Sequence, residues 1–284
     1  MEKIKLENLT LTYKDANGSY TPFENINLSI NESEFVCIIG PSGCGKSSLL
    51  SVIEGLNKES GGAAYIDGKK IEGPGIDRGV VFQHYSLFPW MNATKNIVFA
   101  MKQSKCKGTK KELVKIAEEY LEKVGLGDAK DKFPAQLSGG MQQRVAIARV
   151  MASNASIFLM DEPFGAIDPK NRKELQELIS KLSKEEKKTV VFVTHDIEEA
   201  ILLADRIIFM SDKSIKADIK VDFPYPRTKE ALIGDKKYLS LHNELMKLFY
   251  ENIAQKIGDE VTIWLFQVFY LLLHYHLYLV YQHR

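Results

Sequence analysis

The stretch Gly40-Pro-Ser-Gly-Cys-Gly-Lys46-Ser47 constrains this chain more than any other feature. It fits G-x-x-x-x-G-K-[ST], a loop whose glycines let the backbone wrap closely around phosphate groups with several N–H groups pointing inward. Such a loop requires a buried strand before it and a helix after it. Phe35–Ile39 is a short apolar run without alternation, which suits a strand buried on both faces. Lys46–Glu54 then has helical character, and a helix there directs its positive end at the same phosphates. Lys46 is expected to reach the β- and γ-phosphates of a nucleotide, and the Ser47 hydroxyl to ligate Mg2+.

Around this unit the chain reads as an α/β protein. Ile4–Tyr13 and Phe23–Ile30 are predicted strands of an antiparallel element around a loop at Asp15–Tyr20, and Tyr65–Ile71 reads as a small hairpin about Asp67-Gly68. Gly79–Gln83, Ile157–Met160, Thr189–Thr194 and Arg206–Met210 are apolar runs of strand length. Charged or amphipathic helices are predicted at Lys110–Val124, Asn171–Lys187 and Ile197–Leu203. Strands separated by helices favour a mainly parallel sheet, here interrupted by a helical insertion over about residues 85–153.

At 284 residues, with 45% hydrophobic and 26% charged side chains, the chain can bury a large core without disulfides or a structural metal. Its formal net charge of +1 gives no electrostatic reason to expect nucleic acid as a partner. Cys37, Cys44 and Cys106 are odd in number and lack zinc or redox spacing, so reduced cytosolic thiols are expected. The N-terminus has charges and no apolar h-region, and no secretory signal is expected.

Ile157-Phe-Leu-Met160 is an apolar strand ending in Asp161 and Glu162. Carboxylates at the carboxyl end of such a strand lie near the metal of a bound nucleotide. Asp161 is the candidate metal ligand, and Glu162 the candidate for orienting or deprotonating the attacking water. A strand commonly ends in exposed acids, so this pair acquires meaning only downstream of a phosphate loop.

Leu137-Ser138-Gly139-Gly140-Met-Gln-Gln-Arg144 settles the class. Alone it is a helix-start turn with an N-cap serine. Between a phosphate loop and an acid-ended strand it resembles the signature motif of ABC-transporter nucleotide-binding subunits. The resemblance runs from Met1 to about Ile257. It implies a P-loop NTPase fold of the ABC type, with a mainly parallel core sheet, an antiparallel β subdomain and an inserted helical subdomain. It further implies ATP and Mg2+ as cofactors, with Gly40, Pro41, Ser42, Gly43, Cys44, Gly45, Lys46, Ser47 and Ser48 around the phosphates. Tyr13 matches the aromatic that stacks on adenine, and Gln83 the glutamine that senses Mg2+ and the attacking water. Asp168, in Gly165-Ala-Ile-Asp168, matches the turn that crosses between paired subunits, and His195 the switch histidine on the γ-phosphate. Ser138, Gly139 and Gly140 are expected to act on ATP held by a second copy of the chain.

The same resemblance implies integral membrane permease subunits as partners, a solute-binding protein acting indirectly, and a place at the cytoplasmic face of the cell membrane. Tyr85–Trp90 is expected to form part of the docking surface for the permease. Phe88-Pro89-Trp90, with Gly73–Arg78 before it, resembles the nitrate, sulfonate and taurine importer branch. A soluble ABC ATPase of a non-transport assembly such as iron–sulfur biogenesis is the alternative. DNA-repair ATPases with long coiled coils between their two nucleotide motifs are excluded by the short interval here. Three departures concern turns: Ser48 stands where threonine is usual, Ser33 where glycine often precedes the strand, and Ser211–Lys220 lacks an expected glycine turn. Residues 1–260 are read as one nucleotide-binding domain and 261–284 as an apolar tail. From Val261 to His283 the tail lacks Asp, Glu, Lys and Arg, and it reads as an adventitious extension or a membrane-contacting helix.

Overall fold

Two asparagines shape the first element. β1 (Glu2–Asp15) and β2 (Gly18–Asn31) pair antiparallel, each longer than the sequence predicts. Buried Ile4 and Leu6 keep the two-residue period of a strand, yet the next buried residue is Leu9. Asn8, at φ 48°, supplies a bulge that returns Leu9 and Leu11 to the core face, and Asn25, at φ 53°, lies at the corresponding odd step from Phe23 to Ile26. The computed structural model describes residues 1–15, 18–82, 86–165, 167–232 and 234–257. Gln83, Tyr85 and the tail 261–284, which carry expectations above, lie outside the described residues.

The chain continues through β3 (Phe35–Ile39), α1 (Lys46–Glu54), β4 (Gly61–Ile66), β5 (Lys69–Lys70) and β6 (Arg78–Val81). Next come α2 (Ala93–Gln103), α3 (Lys110–Lys123) and α4 (Gly139–Met151), which pack on one another. Caps define their starts: Asn92 accepts from Lys95 N–H, and Thr109 with Glu112 forms a capping box. β7 (Ile157–Asp161), α5 (Pro169–Glu185), β8 (Thr189–Val193), α6 (Ile197–Leu203), β9 (Arg206–Ser211) and β10 (Ser214–Lys220) complete the sheet region, with α7 (Lys229–Leu232) following. The described residues 234–257, which include α8 (Lys236–Ile257), belong to a separate unit. No described helix is long and apolar enough to cross a membrane.

One sheet has the order β2-β1-β4-β5 and is antiparallel; the other has the order β10-β9-β3-β8-β7-β6 and is parallel except for β10. The central parallel strands β3, β7 and β8 are buried on both faces, which explains their unbroken apolar sequence. On one face Val36, Leu159, Val191 and Ile208 join Leu49, Leu50 and Ile53 of α1 and the inner side of the antiparallel sheet in a single core. On the other, Phe192 stacks with Phe35 and Phe164 at centroid distances of 6.0 and 5.5 Å. Burying a side chain of this size contributes about 1.5–3 kcal/mol, and all three cysteines are free.

The turns lacking glycine resolve simply. Asp212 and Lys213 both take positive φ, 43° and 63°, and close the β9–β10 hairpin as a two-residue turn. Ser33 also takes positive φ, 61°, and is held there by hydrogen bonds: its N–H donates to Thr189 Oγ1 and its hydroxyl to the Lys187 carbonyl.

Candidate active site

Because β3, β8 and β7 are adjacent and parallel, the segments leaving their carboxyl ends meet at one edge of the sheet. Those segments are Gly40–Ser47, Thr194–Asp196 and Asp161–Glu162.

Two glycines of the loop have no substitute. Gly40 has φ 150°, and a Cβ there would lie 2.0 Å from the Met210 carbonyl oxygen; Gly45 has φ 100°, and its Cβ would lie 2.7 Å from that of Pro22. The loop is thus wedged against β9 and β2, with Ser42 and Gly43 exposed at its crown. Lys46 is buried, and its Nζ donates to the carbonyls of Gly40 (2.8 Å) and Pro41 (2.9 Å). Cys44 packs beneath, its Sγ 3.8 Å from Lys46 Nζ, and burial pushes its thiol up.

At the start of α1 the Ser47 hydroxyl donates to Asp161 Oδ1 at 3.1 Å. Burial pushes the Asp161 carboxyl above its usual range; the Ser47 hydrogen bond works against this, and the charge of Glu162 adds to it. Glu162 takes φ 45°, a left-handed conformation rare for a residue with a side chain. Its N–H donates to the Val193 carbonyl at 3.0 Å, and its Oε1 lies 3.3 Å from His195 Nδ1. His195 is largely exposed, at 66% of its side chain. Hydroxyl and carboxylate oxygens at the mouth of the loop are the hard donor set that Mg2+ takes with one or two protein ligands and substrate phosphates. Among the described residues no cluster of three or more His, Cys, Asp or Glu could hold a metal by itself.

Tyr13 is 40% exposed at the end of β1, so it is not a core tyrosine. Its hydroxyl accepts from Asn57 Nδ2 at 3.1 Å and lies 3.5 Å from Ser48 Oγ. Tyr20, its cross-strand partner, donates its hydroxyl to the Gly43 carbonyl at 3.2 Å. Sequence reading missed Tyr20, although its position across the hairpin from Tyr13 was the available signal. It also missed Glu54, only 6% exposed in the last turn of α1. Burial and the nearby Asp161 charge push the Glu54 carboxyl up to about 7. Among the described residues it has no hydrogen-bond or ion-pair partner.

Two further sequence-predicted groups cap helices. Ser138 caps α4, accepting from Met141 N–H at 3.3 Å, with Gly139 and Gly140 in the first helical turn. Asp168 caps α5, accepting from Asn171 N–H and Nδ2, and these bonds hold its carboxyl below the usual range. Among the described residues neither hydrogen-bonds to Gly40–Ser47.

A phosphate loop, a carboxylate hydrogen-bonded to its serine and a histidine at the mouths of adjacent parallel strands define a P-loop nucleotide hydrolase, here with a helical insertion between its two nucleotide motifs. The ABC transporter family model matches residues 23–165, half of the chain. The nitrate import ATP-binding protein NrtD of Synechococcus elongatus is 42% identical over 246 residues, covering 86% of this chain and 90% of that protein. The bicarbonate transport ATP-binding protein CmpD of Synechocystis sp. is 41% identical over 254 residues, 88% of this chain and 90% of its own. Among solved structures, the dimeric ATP-binding cassette MJ0796 in a post-hydrolysis state with ADP and Pi superposes with a TM-score of 0.73 at 38% identity, over 78% of this chain and all of that one. The chain belongs to the ABC transporter family of ATP-hydrolysing cassettes.

Proposed function

We propose that the chain is the ATP-hydrolysing subunit of an ABC importer for nitrate-, sulfonate- or taurine-like solutes, working as a homodimer at the cytoplasmic face of the membrane. The observation that carries this reading is the convergence of Lys46, Ser47, Asp161, Glu162 and His195 at the ends of three adjacent strands. The import subunits among its relatives support the transport role, and their cargoes include nitrate and bicarbonate.

In this mechanism the backbone amides of Gly43–Ser47 and the Lys46 ammonium bind the β- and γ-phosphates of ATP. Ser47 and Asp161, hydrogen-bonded to each other at 3.1 Å, would hold Mg2+, which would supply neutralisation of the phosphate charge. Glu162 orients the attacking water and accepts its proton. His195, 3.3 Å from Glu162, contacts the γ-phosphate and links it to that carboxylate. Tyr13 stacks on adenine, and Gln83 reports on the metal and the water. Ser138 and Gly140 of a second copy complete the site at the start of α4, where orphan N–H groups favour an anion.

Coupling to the permease is proposed at the groove beside edge strand β6. A cavity of about 280 Å³ opens there, lined by Ile76, Arg78, Phe88, Phe99 and Arg149. Phe88 packs on Phe99 and Trp90 at 4.8 and 5.4 Å, and Trp90 itself is 68% exposed. An exposed aromatic rim over an apolar groove suits one helix of a partner.

Hydrolysis measured with and without membranes containing the cognate permease tests the reading. Glu162→Gln is expected to lower turnover roughly 10²- to 10⁴-fold, the usual worth of a general base, and wild-type turnover to rise with the permease. Trp90→Ala is expected to keep basal turnover and lose that rise. Turnover that needs Glu162 but ignores every permease would favour the soluble assembly ATPase.

A further inference from the structure

Glu199 reads in the sequence as an ordinary acid in the first turn of a helix, a place favoured by the helix dipole. Its surroundings are not ordinary. The residue is only 6% exposed. Oε2 accepts the Thr194 hydroxyl at 2.8 Å, while Oε1 accepts Gln176 Nε2 at 3.2 Å and faces Arg172 Nε at 4.0 Å. Capping α6 does not require this, because Asp196 already accepts from the N–H groups of Glu198 and Glu199.

What the carboxylate joins is informative. Thr194 immediately precedes His195, and its Oγ1 also accepts the Asp196 N–H at 3.0 Å, so both chain neighbours of His195 are pinned. On the other side, Arg172 Nη2 donates to the Ile167 carbonyl at 3.2 Å, one residue before Asp168 caps α5. One buried acid therefore ties the turn that presents His195 to the start of the helix behind Asp168. Burying a carboxylate costs several kcal/mol unless hydrogen bonds and a counter-charge compensate, and here both are drawn from those two elements.

We propose that Glu199 is a positioning residue for ATP hydrolysis, holding the His195 turn and the Ile167–Asp168 turn at one spacing so that contact with the second copy is felt at the γ-phosphate. The inference rests on the nucleotide-site reading above. Glu199 touches no substrate; it acts through Thr194 on one side and Arg172 on the other.

The test compares purified full-length wild type with Glu199→Ala, Glu199→Gln, Thr194→Val and the Thr194→Val/Glu199→Ala double variant. Readouts are kcat, KM for ATP, the affinity of a fluorescent ATP analogue and the melting temperature. Glu199→Ala and Thr194→Val are each expected to lower kcat about tenfold with KM and affinity within about twofold, and the double variant to fall no further, as for groups acting as a unit. Thr194→Val and Glu199→Gln keep side-chain size and carry the test if Glu199→Ala does not fold. Full kcat in the Glu199 variants, additive losses, or a loss that tracks affinity or melting temperature would overturn the role. Glu162→Gln runs in parallel. If it retains turnover, the site reading itself fails and this inference falls with it; if it alone loses turnover, only the inference fails.

Discussion

Glu54 sits on α1 two helical turns beyond Ser47, on the same face, and so points toward the Asp161 carboxylate. In an unfolded chain this acid titrates at about 4.5, whereas burial raises it to about 7 in the folded one. Between those values the folded state binds the extra proton. Stability therefore falls as pH rises through the window from about 4.5 to about 7, and the cost is fully present above it. Glu54→Gln is expected to melt higher than wild type at pH 8 and to lose that advantage as pH drops toward 4.5. Thermal unfolding followed by circular dichroism at several pH values decides this, and a pH-independent difference would refute it. Neither Glu54 nor Glu199 was legible in the sequence, because an acid on an amphipathic helix reads as solvated. Lys46, Ser47, Asp161, Glu162 and His195 were legible, since each terminates or follows an apolar strand that declares itself.

Among the elements, the central parallel strands announce themselves as unbroken apolar runs, and the helix start at Ser138 follows from its capping side chain. β10 escapes such a reading. Ser-Ile-Lys-Ala-Asp-Ile-Lys covers an edge, with polar residues interleaved, and its turn has no glycine. Holding Asp212 and Lys213 at positive φ costs roughly 1–2 kcal/mol per residue with a side chain. Lys213→Gly removes one such cost and adds about 0.5–1 kcal/mol of backbone entropy. It also gives up an exposed ion pair to Glu24, a contact of small worth. A modest rise in melting temperature is expected, with ATP turnover unchanged, since the turn lies outside the catalytic residues. A lowered melting temperature would mean that the Glu24 contact outweighs the strain.

For the whole molecule, the proposal that Ser138 of one copy completes the site of another makes a sharp demand on the proposed dimer. A Ser138→Arg chain keeps its own loop and Glu162, and a Glu162→Gln chain keeps its signature turn. Each alone is expected to be nearly inactive. Mixed in equal amounts they form hybrids with one intact site of two, so roughly a quarter of wild-type turnover is expected to return in a two-fold symmetric assembly. Turnover that stays flat on mixing, with hybrid formation verified by a tag on one chain, would place the whole site within a single copy.

The parallel pairing of β3 has a further consequence for how the protein comes into being. The strand that feeds the phosphate loop emerges early from the ribosome, but Val36 pairs with Val191 on one side and Arg206 on the other. Until both of those segments have been synthesised, β3 lacks at least one of its two partner strands, and the closure of Gly40 against Met210 does not exist. Long-range parallel pairing of this kind is slow to form and exposes apolar strands meanwhile. A nascent chain halted before Thr189 therefore carries the whole phosphate loop but neither His195 nor the partner strands of β3, and it is expected to be unable to grip a nucleotide. Ribosome-stalled chains of increasing length, probed with protease, are expected to become resistant only once β9 has cleared the exit tunnel.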